Sequence, residues 1–146
     1  MMWLLLLGLG AFLACGASLG AVGEWPGIRP GVWRIAIRAT AQDKLPAFIE
    51  SEERFCSNTM FLFQRYPSVA VIEKDGCRFE SRRKAPGQYE VTSTCAVSGV
   101  GRGVSKGLVS VTNDQEFEAT WETRQKGKTV LREDMKGTWA RPCGSD

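Results

Sequence analysis

The 146-residue chain contains no histidine. That removes the commonest general base and the commonest metal ligand, and leaves a serine nucleophile only the rarer Ser–Lys arrangement. No C-x-x-C pair occurs, so the usual thioredoxin dithiol and the usual zinc spacing are both missing. No EF-hand loop is present either. Neither sign of charge is in large excess: 19 Lys and Arg against 16 Asp and Glu leave +3, which suits solubility and not a nucleic-acid partner. No catalytic residue, metal ligand or cofactor site is therefore expected, and the chain reads as a non-enzyme.

Charged side chains are absent from residues 1–22. Trp3 to Leu13 form an apolar run of secretory length, too short to span a bilayer comfortably. Small residues follow. Cleavage after Ala17 sets Cys15 and Ala17 at the small positions, whereas cleavage after Ala21 sets Leu19 at the outer one. Residues 1–21 are thus expected to be a signal peptide cut between 17 and 21, 22–30 an extended and loosely held entry segment, and 31–143 one domain. Phe12-Leu13-Ala14-Cys15 also resembles a bacterial lipobox, which makes Cys15 the candidate lipidation site of an outer-membrane lipoprotein. Either way the expected location is periplasmic or secreted.

What remains after the leader is an even set of four cysteines: Cys56, Cys77, Cys95 and Cys143. In an oxidising compartment they read as two disulfides that staple a small domain.

Gly31 to Arg38 alternates, with Trp33, Ile35 and Ile37 on one side and Arg34 and Arg38 on the other, as a half-buried strand does. Phe48 to Cys56 forms a second strand, weakened by Glu50, Glu52 and Glu53. Ser57-Asn58-Thr59 caps a two-turn helix over Met60 to Tyr66, stopped by Pro67. Val69 to Ile72 reads as a further strand, hairpinned through Asp75-Gly76. Pro86-Gly87 joins Cys77–Ala85 to Gln88–Ala96. Gly107–Val111, Phe117–Arg124 and Leu131–Trp139 alternate in turn, and Glu133 interrupts the last apolar face as a water-lined position or a bulge. The fold class is mainly β: an antiparallel meander forming a curved sheet or partly closed barrel, with one short helix.

Four cysteines allow three pairings. If the helix carries the chain from one end of the sheet to the other, Cys77 meets Cys95 at one end and Cys56 meets Cys143 at the other. If it returns to the same end, three cysteines collect there and one is stranded. Counting strand reversals favours Cys77–Cys95 with Cys56–Cys143.

Several elements recur together: Pro30-Gly31-Val32-Trp33 at the first strand, Cys56 before the helix, Gly76-Cys77, Cys95, the glycine-spaced Gly99 to Gly103, and the closing Gly137 to Cys143. This order resembles the domain of unknown function 3617 family, exported proteins of Gram-negative bacteria. The stretch between Cys56 and Cys77 is longer and more aromatic than the pattern. The resemblance implies export and disulfides; it carries over no catalytic residue, because the family's activity is unassigned.

Other constellations have bland explanations. Ser98 to Gly107 lacks the following helix that a phosphate loop needs. Glu50, Glu52 and Glu53 read as a solvated face, and Arg78, Arg82, Arg83 and Lys84 as an exposed hairpin. The remaining feature is the apolar face, with Trp33, Ile35, Tyr89, Phe117, Trp121 and Trp139 as candidate ligand-facing residues. A curved sheet of this size can leave a groove for one acyl chain. The first expectation is a binding module for a lipid, small hydrophobic ligand or envelope component. The second is a structural or protein-interaction domain acting through its surface, with a hydrolase third.

Overall fold

The computed structural model describes residues 21–42, 44–57, 59–63, 72–97 and 101–144. The signal-peptide segment with Cys15, the expected helix end at Tyr66, the strand start at Val69 and the loop 98–100 lie outside these residues. The described strands are β1 (Ala21–Gly23), β2 (Gly31–Ala41), β3 (Ala47–Phe55), β4 (Ile72–Ala85), β5 (Gln88–Val97), β6 (Gly101–Asn113), β7 (Glu116–Gln125) and β8 (Lys128–Arg141). They form one sheet in the order β1-β4-β5-β6-β7-β8-β2-β3. All neighbours are antiparallel except β1, which runs parallel to β4. The fold is mainly β, an antiparallel meander in one unclosed, curved sheet.

Local chemistry sets the turns. Lys126 and Gly127 both have positive φ, 49° and 73°, between the paired ends Gln125 and Lys128, the backbone that a tight two-residue hairpin demands. Asn113 Oδ1 accepts the Gln115 amide at 2.8 Å, closing the β6–β7 turn through its own side chain. Pro86-Gly87 joins β4 to β5 as its composition predicts.

Alternation decides the faces. On β2 Trp33 and Ile35 are buried while Arg34 is exposed, and on β7 Phe117, Ala119, Trp121 and Thr123 are buried between exposed or half-exposed neighbours. One cluster joins β2, β5, β6, β7 and β8 with Leu62 and Phe63 from the connection and Ile28 from the entry segment.

Four details differ from the sequence reading. Residues 59–63 form a five-residue 3₁₀ turn where a two-turn helix is expected. Its run Met-Phe-Leu-Phe has aromatic residues that gain little from an α-helix, and burial of Leu62 and Phe63 sets its path. Asp75-Gly76 does not turn the chain: β4 runs through it with a register irregularity between Ile72 and Cys77, because the antiparallel partner that holds it is the following strand β5. The entry segment is held firmly. Ile28 is buried, the Arg29 amide donates to Asp114 O at 2.8 Å, and the Arg29 guanidinium meets Asp114 Oδ2 at 3.1 Å. Residues 21–23, expected to lie mostly in that segment, pair with β4. Glu133 keeps register opposite Trp121, with no bulge at that position.

The chain crosses the sheet between β3 and β4, which separates the cysteines into two pairs. Cys56–Cys143 joins the ends of the β3 and β8 segments with Cα atoms 5.9 Å apart, and Cys77–Cys95 are register partners on β4 and β5.

Candidate functional site

The inner face has two chemically distinct halves. At the end where β2 begins, aromatic rings pack on one another: Trp33 lies 5.5 Å from Phe117, and Phe63 sits edge-on to Phe117 at 5.0 Å. Their polar handles are used. Trp33 Nε1 donates to Arg29 O at 3.0 Å, and Trp139 Nε1 donates to Pro30 O at 3.2 Å beneath the Arg29 guanidinium. Of the expected ligand-facing residues, Trp33, Ile35, Phe117 and Trp121 are buried, and Tyr89 and Trp139 are half-buried against the same cluster. At this end Trp33, Ile35, Phe117 and Trp139 form a core that their own neighbours fill.

Glycines on adjacent strands make room for two of the rings. A Cβ at Gly137 would overlap the Phe117 ring, and one at Gly107 would overlap the indole of Trp121. Both are direct cross-strand partners, so each glycine supplies the floor on which its neighbour's ring rests.

The other half is polar. Ser93, Ser105 and Thr123 oppose one another in register across β5, β6 and β7. In the next row Ser81, Trp121 and Glu133 face the same side from β4, β7 and β8. All five of these hydroxyl and carboxyl residues are buried, Ser93 and Ser105 completely. Thr123 Oγ1 donates to Ser105 Oγ at 3.2 Å. Among the described residues no partner reaches Ser81 Oγ, Ser93 Oγ, Trp121 Nε1 or Trp25 Nε1, although each atom is shut off from solvent. Left without a partner, such an atom costs about 1–3 kcal/mol.

Residues 28–143 match the family model described as protein of unknown function (DUF3617). The chain belongs to this family. No curated protein and no solved structure matches it. The matched span of the DUF3617 domain runs from the buried Ile28 to Cys143, and so takes in both halves of the inner face and both disulfides.

The outer face of the DUF3617 domain is an ion-pair lattice. Glu90 bridges Arg82 at 2.9 Å and Lys106 at 3.5 Å, while Glu122 meets Arg124 at 2.6 Å and Arg132 at 3.5 Å. Burial alone would raise the Glu90 pKa, but the hydrogen bond from Arg82 and the charges of Lys106, Lys84 and Arg82 outweigh it and hold the carboxyl below its ordinary value. The hydrogen bonds from Arg124 and Thr129 lower Glu122 against a partial opposition from burial. Of the basic hairpin, Arg78 and Arg82 are bound to Glu80 and Glu90. The glycine-spaced run, expected to be a β connection and not a phosphate loop, is extended strand from Gly101 onward. Among the described residues no three His, Cys, Asp or Glu side chains converge as a metal site.

The hydroxyl row escaped the sequence reading, which sought aromatic and charged residues. Its signal was present: Val91, Ser93 and Cys95 alternate as an inward face, and the β5–β6 register sets Ser93 beside Ser105.

Proposed function

We propose that the DUF3617 domain is a non-enzymatic binding module of the bacterial envelope, exported by a leader cut between residues 17 and 21, that takes a hydrophobic ligand on its inner face. The ligand's polar end lies toward Ser81, Ser93 and Trp121, and the aromatic half, which its own side chains fill, bounds the site without holding the ligand. The observation that carries this reading is that Ser81 Oγ, Ser93 Oγ and Trp121 Nε1 are buried with no partner among the described residues, beside the apolar cluster of the same face. A core evolved only to pack would leave such positions apolar or paired. The disulfides and the uncharged apolar leader support an oxidising location.

The test is native mass spectrometry of the mature protein purified from its own envelope, beside titration with N-phenyl-1-naphthylamine. A bound small molecule of defined mass, and probe fluorescence that this molecule displaces, are expected. A bare chain that leaves the probe dark removes the reading. The denatured mass of the same sample fixes the cleavage site and shows whether Cys15 carries acyl chains.

A further inference from the structure

The strand β3 ends the sheet: it pairs with β2 along residues 47–55, and no described element occupies its other edge. Edge strands expose a row of unpaired amides and carbonyls that invite another strand, and proteins commonly blunt them with lysine, proline or a bulge. Here the charge is mainly acidic, from Glu50, Glu52 and Glu53, with Pro46 just before the strand. Its sequence AFIESEERF contains no lysine and no proline, and its register with β2 is unbroken. Apolar side chains stand out beside it: Leu45 is 91% exposed, Phe48 77% and Ile49 51%. A groove of about 600 Å³ adjoins the edge on the outer face, with Phe48 on one wall and Leu108 on the other.

Charge narrows the occupant. Glu52 is engaged by Arg34 at 3.6 Å and Arg141 at 3.1 Å. Glu50 and Glu53 are exposed and have no ion-pair partner among the described residues. A second copy fits poorly. Its β3 would bring three more glutamates, and an antiparallel pairing centred on Ser51 opposes Glu50 to Glu52. The basic strand β4 of a second copy is covered by β1 at Phe79 to Ser81, in the middle of its free edge.

We propose that the free edge of β3 docks an extended segment of another protein by strand addition. Backbone hydrogen bonds would supply much of the affinity, and side chains at alternating positions the selection. Phe48 and Ile49 call for apolar residues opposite them, and Glu50 and Glu53 for Lys or Arg. For an antiparallel segment the order is basic, any, any, basic, apolar, apolar. The site is separate from the inner face, so it holds whether or not the domain binds a hydrophobic ligand.

The test uses the disulfide-bonded mature chain and a fluorescent capped peptide, Lys-Thr-Thr-Lys-Val-Val. Saturable binding is expected, weakened at least about tenfold by the double substitution Glu50→Lys with Glu53→Lys, by the Glu-Thr-Thr-Glu-Val-Val peptide on unsubstituted protein, and by methylating alternate peptide nitrogens. The double variant should melt as the parent does, and the charge-reversed peptide decides the question if it does not. No saturable binding, or binding indifferent to both charge reversals, overturns the proposal. So does sedimentation of the mature chain as a dimer that the double substitution dissolves, since the edge would then belong to a second copy.

Discussion

The indole of Trp121 occupies the space that a side chain at Gly107 would need, across the β6–β7 pair. Gly107→Ala must therefore displace a buried ring, with an expected cost of about 1–3 kcal/mol in thermal or denaturant unfolding. Gly27→Ala, where an added Cβ meets nothing within 4 Å, should stay within about 0.5 kcal/mol of the parent.

The hydroxyl row separates two kinds of polar residue. Ser93 Oγ has no partner among the described residues, so Ser93→Ala in ligand-free protein should leave stability unchanged or raise it by up to about 1 kcal/mol. Thr123 is bonded to Ser105, and Thr123→Val should cost about 1–2 kcal/mol by orphaning a buried hydroxyl. Chemical denaturation of both variants checks the contrast.

Acid should weaken the fold through the outer lattice. The lowered pKa values of Glu90 and Glu122 mean that their contribution is present above the ordinary glutamate value of 4.5 and is lost as pH falls through the lower folded values. Melting temperature should drop below pH 4.5. Glu90→Gln and Glu122→Gln should lower it at neutral pH and flatten that acid-side fall.

The two disulfides close loops of different length, with sequence separations of 87 and 18. Loop-closure entropy gives about 4.5 kcal/mol for Cys56–Cys143 and about 3 kcal/mol for Cys77–Cys95. Paired Cys→Ala variants should rank in that order by denaturant midpoint.

Much of this fold was legible in alternation and turn chemistry. Trp33 and Ile35 against Arg34, and Phe117, Ala119 and Trp121 against Glu116, Glu118 and Glu122, spell a one-sided sheet by alternation alone. Pro86-Gly87 marks its turn because proline presets its own φ and glycine takes the positive φ after it. The crossing from β3 to β4 was less legible. Phe63 stops where Phe117 receives it, and Asp75-Gly76 stays extended because β5 holds β4, both long-range effects that no local pattern encodes. The candidate site was legible only in part. The aromatic residues were read correctly as an inward face, but the serines were passed over, since a serine looks alike on a wet and a dry face until the register is known.

The tryptophan indoles offer the most direct test of ligand binding on the inner face. Trp33 and Trp139 already donate to Arg29 O and Pro30 O, whereas Trp121 Nε1 is buried without a partner among the described residues. Indole N–H resonances of the ¹⁵N-labelled mature protein should be followed while the molecule released from the native preparation is added back. The Trp121 signal should move in a saturable way while those of Trp33 and Trp139 hold still. An unchanged Trp121 signal at saturating ligand would contradict binding on the inner face.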